Sequence, residues 1–186
     1  MGFHDLGLEQ KFCQLDAELS VTEGAVIEGY ASIFGAKDNG GDIVEAGAYG
    51  ASLKDLAANG RRVKMLWQHD PTEPIGIWDE VREDDKGLYV KGRLLTDVAR
   101  AREAASLLEA GAIDGLSIGY RTVRAQKDGK GRRHLSELEL WEVSLVTFPM
   151  LPEARVGAKG ETPDAALMRD LAGAIESARS MLARDA

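Results

Sequence analysis

The stretch LSIGYRTVRAQKDGKGRRHLSELELWEVSLVT, residues 116–147, contains two long strand-like runs on either side of a turn. The runs Leu116–Ala125 and His134–Thr147 flank the segment QKDGKGR, whose glycines and charges are typical of a hairpin connection. Strands joined in this way pair antiparallel, whereas parallel strands need a longer crossover. The stretch therefore predicts a β-rich domain built around one long hairpin.

Outward from this hairpin, period-two alternation and turn signals predict five more strands. They are Cys13–Val21, Val26–Phe34, Arg62–Trp67, Ile75–Val81 and Gly87–Leu95. Three helices are predicted: a short one with a capping-box spacing from Ser52 to Asp55, one over Asp97–Ala110 that ends at Gly111, and one that begins near Pro163. The fold class predicted is α+β, with an antiparallel β-barrel core of about seven strands and surrounding helices.

Composition excludes several classes of function. The net charge of −8 leaves no broad basic face for phosphate contacts, so we expect no nucleic-acid partner. Cys13 is the single cysteine, which rules out an intramolecular disulfide and a cysteine-rich zinc site. The polar cluster KDNGGD at 37–42 lacks the spacing of a calcium loop. With no signal-peptide pattern and no apolar run of membrane-spanning length, we expect a cytoplasmic protein, or one that acts inside something assembled in the cytoplasm. We expect no metal and no cofactor.

Ser117 lies between Gly115 and Gly119 in a G-x-S-x-G pattern, which is typical of a serine nucleophile. So short a pattern also arises by chance, and a nucleophile needs a base elsewhere in the chain. An esterase of the α/β-hydrolase class places its histidine after the serine, on a mostly parallel sheet. The only histidine after Ser117 is His134, within the same hairpin, so the esterase interpretation fails on chain order.

His69 is the base that remains, because His4 lies close to the N-terminus and is set aside. It lies near the end of the strand-like run KMLWQHDP, in which Pro71 is expected to stop regular strand pairing. A histidine at such a strand end can present a ring nitrogen to a cleft. The alternative is a structural role at the end of the strand.

Six motifs together resemble a known family. They are EGYASIFG, GAYGASL, MLWQHDPTEPIG, GLYVKGRLL, GAIDGLSIGY and WEVSLVTFPMLPEA, in this order over about residues 24–156. They are similar to the phage prohead maturation proteases of the HK97 type, which are related in fold to the herpesvirus assembly proteases. The resemblance implies a serine endopeptidase on a herpesvirus-protease-like barrel, with Ser117 as nucleophile and His69 as general base.

The resemblance also implies a partner and a place. The substrate would be the N-terminal scaffolding segment of the major capsid protein, or a separate scaffold protein. Cleavage would occur inside the immature shell, in the host cytoplasm, and the protease would be a homodimer. A catalytically inactive capsid-assembly or scaffolding protein of the same fold is the competing interpretation.

The third catalytic residue should follow the serine on a later strand, as an acid in the phage branch or a second histidine in the herpesvirus branch. Glu142 stands where the resemblance implies the acid, and Glu139, Glu137 and His134 compete with it on the same strand. Glu142 has apolar neighbours, where a carboxylate is costly unless it is paired. His69 would be that partner, and a structural ion pair with an arginine is the alternative.

Two smaller features complete the predicted site. Backbone N–H groups for the oxyanion are expected from the loop after Thr147. Gly119 either lets a substrate backbone approach closely or marks a β-bulge.

The predicted domains are a protease domain over 1–156 and a linker with a C-terminal amphipathic helix over 157–186. An apolar stripe on that helix is expected either to form an interface or to pack on the barrel. Its residues are Leu167, Leu171, Ile175, Met181 and Leu182.

Overall fold

The computed structural model of the chain describes residues 9–13, 20–22, 25–38 and 40–148. The helix predicted near Pro163, its apolar stripe and the domain boundary predicted at residue 156 lie outside these residues. In chain order the elements are β1 (Glu9–Cys13), β2 (Ser20–Thr22), β3 (Val26–Ile33), β4 (Asp42–Val44), α1 (Gly50–Ala58), β5 (Lys64–Trp67), β6 (Asp70–Glu83), β7 (Gly87–Leu94), α2 (Ala99–Glu109), β8 (Gly115–Lys127) and β9 (Arg133–Val146).

The nine described strands form one curled sheet in the order β1-β8-β9-β5-β6-β7-β3-β2, with β4 also paired to β9. Strand β3 contacts both β8 and β1, so distant parts of the sheet curl toward each other. The apolar residues of the strands and of α2 meet in one continuous core inside the curl. One curled sheet with two helices agrees with the α+β class, and the long hairpin predicted at 116–147 forms as β8 and β9.

The sheet is mixed, and not the antiparallel one predicted. Strands β4 and β5 both run parallel to β9, while the other pairings are antiparallel. Strand β4 pairs with residues 133–135 of β9 and β5 pairs with residues 142–145, so helix α1 carries the chain forward along one edge of β9 and both strands keep the same direction. The three-residue strand β4 was not predicted, because it is short and begins at Asp42, the last residue of the polar cluster at 37–42.

Helix α1 also corrects the predicted capping box. Ser52 lies inside the helix, which begins at Gly50 without a side-chain cap. The Ser52 hydroxyl instead accepts a hydrogen bond from the Leu140 N–H at 2.9 Å, and the Ala48 carbonyl accepts from the Leu138 N–H at 2.9 Å. This part of β9 lies between its pairings with β4 and β5. Helix α1 and the turn before it therefore supply hydrogen-bond acceptors to backbone N–H groups of β9 that have no neighbouring strand on that side.

Two strand predictions need other corrections. The strand predicted over Cys13–Val21 is divided, since Cys13 ends β1 on β8 and β2 pairs with β3. Pairing does not stop at Pro71, because β6 begins at Asp70 and includes two prolines. Both lie where the register between β5 and β6 is irregular, which is where a sheet tolerates a residue without an N–H.

Helix α2 agrees with its prediction. Gly111 has φ +68°, and its N–H reaches the Leu108 carbonyl at 3.0 Å, as expected of a glycine that ends a helix. Neither of the two helices in the described ranges is long and apolar enough to span a membrane.

Candidate active site

Four positions on β8 and β9 form the floor of the candidate site. Ser117 is the register partner of Ser144, and Gly119 is the partner of Glu142. Residues two apart on a strand share a face, so these two pairs lie side by side on the same face of the hairpin. Ser117 and Ser144 are 0% exposed and Glu142 is 1% exposed.

His69 enters this face from the turn between β5 and β6. Trp67 pairs with Asp70, which makes Gln68 and His69 the two central residues of a tight hairpin turn. Their φ angles are +51° and +62°, the left-handed values that a type I′ turn requires and that side chains other than glycine rarely adopt. Such strain persists only where neighbouring contacts hold it, and it is concentrated at functional sites.

The turn is held by contacts to the end of β9. The Gln68 N–H donates to the Leu145 carbonyl at 2.9 Å, and the Gln68 side-chain amide donates to the Thr147 hydroxyl at 2.6 Å. The His69 N–H donates to Ser144 Oγ at 3.2 Å. Directly after the turn, the Asp70 carboxylate accepts hydrogen bonds from the Thr72 hydroxyl and the Thr72 N–H, which lower the pKa of Asp70.

The side chains of His69, Ser117 and Glu142 form one line of short hydrogen bonds. His69 Nε2 lies 2.6 Å from Ser117 Oγ, and His69 Nδ1 lies 2.5 Å from Glu142 Oε1. A carboxylate only accepts, so Nδ1 carries the proton and donates it to Glu142. Nε2 then has a free lone pair and accepts from the Ser117 hydroxyl. This is the polarity that a base needs in order to remove a proton from serine.

Gly119 has a definite reason to be glycine. A Cβ at this position would lie 2.1 Å from Glu142 Oε1, 2.8 Å from its Cδ and 2.9 Å from its Cγ. The Glu142 side chain therefore lies directly over the bare backbone of Gly119. A bulge does lie beside Gly119, because the register shifts between Gly119 and Tyr120, but Gly119 itself is paired and the extra residue is Trp141 on β9. The close approach is also real, but the group that approaches is the carboxylate.

We expect Gly119→Ala to reduce the reactivity of Ser117 by about 100-fold, because the new methyl must displace Glu142 by an ångström or more. Overpacking of this kind also destabilises a fold by about 1–3 kcal/mol. The measurements are the rate of covalent labelling by a fluorophosphonate and the melting temperature. The matched control is Gly129→Ala in the hairpin turn, where a Cβ would meet nothing within 4 Å. Labelling of Gly119→Ala at the wild-type rate would contradict the packing argument.

The other candidates for the third residue lie elsewhere. Glu139 and Glu137 form surface ion pairs with Arg121 and Arg124. His134 lies at the turn end of β9, with Nδ1 3.2 Å from a Glu45 carboxylate oxygen. The ion-pair partner of Glu142 is His69 and not an arginine. Among the residues described, no group of three histidine, cysteine or acidic side chains is arranged to hold a metal ion.

Ser144 is the site residue that the sequence reasoning missed. Its hydroxyl donates to Glu142 Oε2 at 2.5 Å and accepts from the His69 N–H. The available signal was its position two residues after Glu142, on the same face of a predicted strand. That signal is weak on its own, because serine is common at half-buried strand positions.

A model of the caudovirus prohead serine protease family matches residues 13–168 of the chain. The prohead protease of Enterobacteria phage HK97 is 33% identical over 149 residues, a match that covers 78% of this chain and 65% of that protein. The capsid polyprotein of Pseudomonas phage PAJU2 is 32% identical over 154 residues, which are 78% of this chain and 21% of the polyprotein. The chain thus spans less than two thirds of the length of both relatives.

Among solved structures, the bacteriophage T4 capsid assembly protease, gp21, has a similar fold. The TM-score is 0.59, and the match covers 75% of this chain and 96% of that chain. The sequence identity is 14%, so this likeness concerns the fold alone.

Proposed function

Because the chain belongs to the caudovirus prohead serine protease family, we propose that it is a serine endopeptidase of phage capsid maturation. The observation that carries the proposal is the line of buried hydrogen bonds from Ser117 through His69 to Glu142. In it each side chain has the neighbour and the hydrogen-bond direction that its role requires. We assign Ser117 as nucleophile, His69 as general base and Glu142 as the acid that orients His69.

The proposed reaction is acyl transfer in two halves. His69 Nε2 takes the Ser117 proton as Oγ bonds to the scissile carbonyl carbon, and the C=O electron pair moves to the oxygen. Glu142 stabilises the imidazolium that forms. The C–N bond then breaks, the leaving amine takes the proton from His69, and the acyl group stays on Ser117. In the second half, His69 takes a proton from water as the water oxygen bonds to the acyl carbon. The bond to Ser117 Oγ then breaks, Ser117 takes the proton from His69, and the second product is released.

The oxyanion of this reaction needs backbone N–H donors. We keep the loop after Thr147 as the proposed source. The N–H of Thr147 itself already points to the Gln68 side-chain oxygen at 3.4 Å. The donors would therefore come from the residues that follow, of which Phe148 is the last one described and is 84% exposed.

Ser117 is enclosed, and this bears on how a polypeptide would reach it. With 0% of its surface exposed, the hydroxyl can meet a peptide bond only after the chain around it opens. A closed resting state would suit an enzyme whose activity must wait for assembly. A fluorophosphonate time course in assembled shells, with wild-type protein and Ser117→Ala, separates a protease from an inactive assembly protein, since only a reactive Ser117 gains the label.

The proposed substrate is the N-terminal scaffolding segment of the major capsid protein, or a separate scaffold, inside the assembling prohead. A relative that is named a capsid polyprotein supports capsid protein as the partner. We also keep the homodimer as a proposal.

We expect co-expression with the capsid protein of the same phage to shorten that protein at one N-terminal site, because the proposed substrate is one segment at the N-terminal end of that protein. Intact-mass spectrometry of the assembled shells checks this, with Ser117→Ala as the matched inactive control. An unchanged capsid-protein mass in shells that contain fluorophosphonate-reactive enzyme would exclude this substrate. It would leave the assignment as a serine hydrolase intact.

A further inference from the structure

We propose that Ser144 is a positioning residue, which fixes the Glu142 carboxylate and the His69 backbone in one arrangement. This inference rests on the proposed function. Ser144 does not touch the atoms that react; it acts through Glu142 and His69. The family comparisons do not assign it a role.

The contacts of Ser144 give its hydroxyl a single direction. Its oxygen accepts the His69 N–H at 3.2 Å, and its proton goes to Glu142 Oε2 at 2.5 Å. The other Glu142 oxygen accepts from the His69 ring. His69 is therefore tied twice to the same pair of residues, by its backbone through Ser144 and by its ring through Glu142.

This double tie matters because of the backbone at His69. A non-glycine residue at φ +62° is strained, and each contact to it helps to keep the turn in place. Without the Ser144 hydroxyl, the His69 N–H and Glu142 Oε2 each lose a hydrogen-bond partner, in a position closed to water. A carboxylate held at one oxygen can rotate about its terminal bonds. The ring of His69 would follow it and lose its alignment with Ser117.

The position of Ser144 explains how one residue can contact both the Glu142 carboxylate and the His69 backbone. It is the register partner of Ser117 on β8 and of Leu66 on β5, so it lies in the interior of the sheet between the two strands that carry the site. Glu142 is two residues away on the same face. A side chain at this point reaches the carboxylate along its own strand and the turn that follows β5.

The test is Ser144→Ala, with the fluorophosphonate as probe, since it reports on Ser117 without knowledge of the scissile bond. We expect the maximal labelling rate to fall about 10- to 100-fold, by analogy with the loss at metal sites when the hydrogen-bond partner that orients a ligand is removed. The reagent concentration for half-maximal rate should stay within about twofold, because Ser144 acts through Glu142 and His69 and not through contact with the reagent. The matched control is Ser136→Ala on the same strand, whose hydroxyl makes only a 3.5 Å contact to the Arg124 carbonyl; it should label like wild type.

A double-mutant cycle separates positioning from general stability. If Ser144 acts through Glu142, adding Ser144→Ala to Glu142→Gln should lower the rate by less than about threefold. A full 10- to 100-fold loss in that background, or a wild-type rate for Ser144→Ala alone, would overturn the inference. Should the alanine variant not fold, Ser144→Cys keeps the size with a much weaker donor and is judged by the same two outcomes.

A second readout keeps this inference distinct from the proposed function. In protein with ¹⁵N-labelled histidine, the proton between His69 Nδ1 and Glu142 gives a low-field NMR resonance, assigned by its loss in Glu142→Gln. We expect Ser144→Ala to shift or broaden it and Ser136→Ala to leave it unchanged. An unchanged resonance in Ser144→Ala contradicts the positioning role, whether or not the protein cleaves peptides. Failure of wild-type protein to label at Ser117 inside assembled shells, where the enzyme must be open, contradicts the proposed function instead.

Discussion

Ser117→Ala is expected to lower peptide-bond cleavage by about five to six orders of magnitude while the fold is retained. Ser117 Oγ is the atom that would bond to the scissile carbon, and it lies 2.6 Å from His69 Nε2. The measurement is the rate of capsid-protein shortening in co-expressed shells, together with fluorophosphonate labelling and a melting curve.

Ser144→Ala is the natural comparison for this variant. The two serines are register partners, both are fully buried, and each substitution removes one hydroxyl. Equal losses of activity in the two variants would mean that the hairpin, and not the nucleophile, had been damaged. A Ser117→Ala protein that still cleaves within about tenfold of wild type would show that another group attacks the peptide bond.

The bulge between Gly119 and Tyr120 determines which residues of β9 share a face with Ser117, and the sequence does not reveal it. Counted back from the turn pair Lys127 and Arg133 in regular register, Ser117 would face Val143, and Glu142 would lie on the opposite face of the hairpin. The extra residue is Trp141, which has no register partner between Gly119 and Tyr120 on β8 and is 41% exposed. Because a one-residue slip turns every side chain to the other face, this bulge brings Glu142 to Ser117.

The elements that could be predicted are those whose pattern is local. The long hairpin and helix α2 follow from alternation, helical period and Gly111. The parallel pairing of β4 and β5 with β9 depends on contacts between residues far apart in sequence, which no local pattern records. For the same reason Ser52 was predicted as a helix cap, although it serves the edge of β9.

The residue types of the candidate site and their order along the chain were sufficient to name its members. They did not show which side chains contact each other. Few histidines are present, so elimination and the family resemblance together selected His69 as the candidate base. That it occupies a strained turn with positive φ was not predictable, since Gln-His carries none of the Asn-Gly chemistry that marks such turns. The contacts of Gln68 and His69 with the end of β9 compensate for this missing local preference.

Glu142→Gln is expected to keep the fold and to lower peptide cleavage by about two to four orders of magnitude, as for orienting acids elsewhere. The amide has nearly the same shape but no charge to stabilise the His69 imidazolium. It also has only one acceptor oxygen, whereas the carboxylate accepts from His69 on one side and from Ser144 on the other. If the amide oxygen faces His69, the amide nitrogen meets the Ser144 hydroxyl, whose proton must then turn away. If the amide turns over, it presents a donor to Nδ1–H and favours the wrong tautomer.

His134→Ala is the matched test of the competing triad, and it should change cleavage by less than about tenfold. His134 lies eight residues before Glu142 on the same strand, roughly 25 Å away at the rise of a β-strand. Its ring contacts the surface carboxylates of Glu45 and Asp128, so its removal affects only the turn end of the hairpin. Cleavage of the capsid protein by both variants, normalised to the folded fraction, decides between the two. A dead His134→Ala beside a normal Glu142→Gln would mean that the third residue is a histidine, and that the 2.5 Å contact between His69 and Glu142 serves the fold and not the reaction.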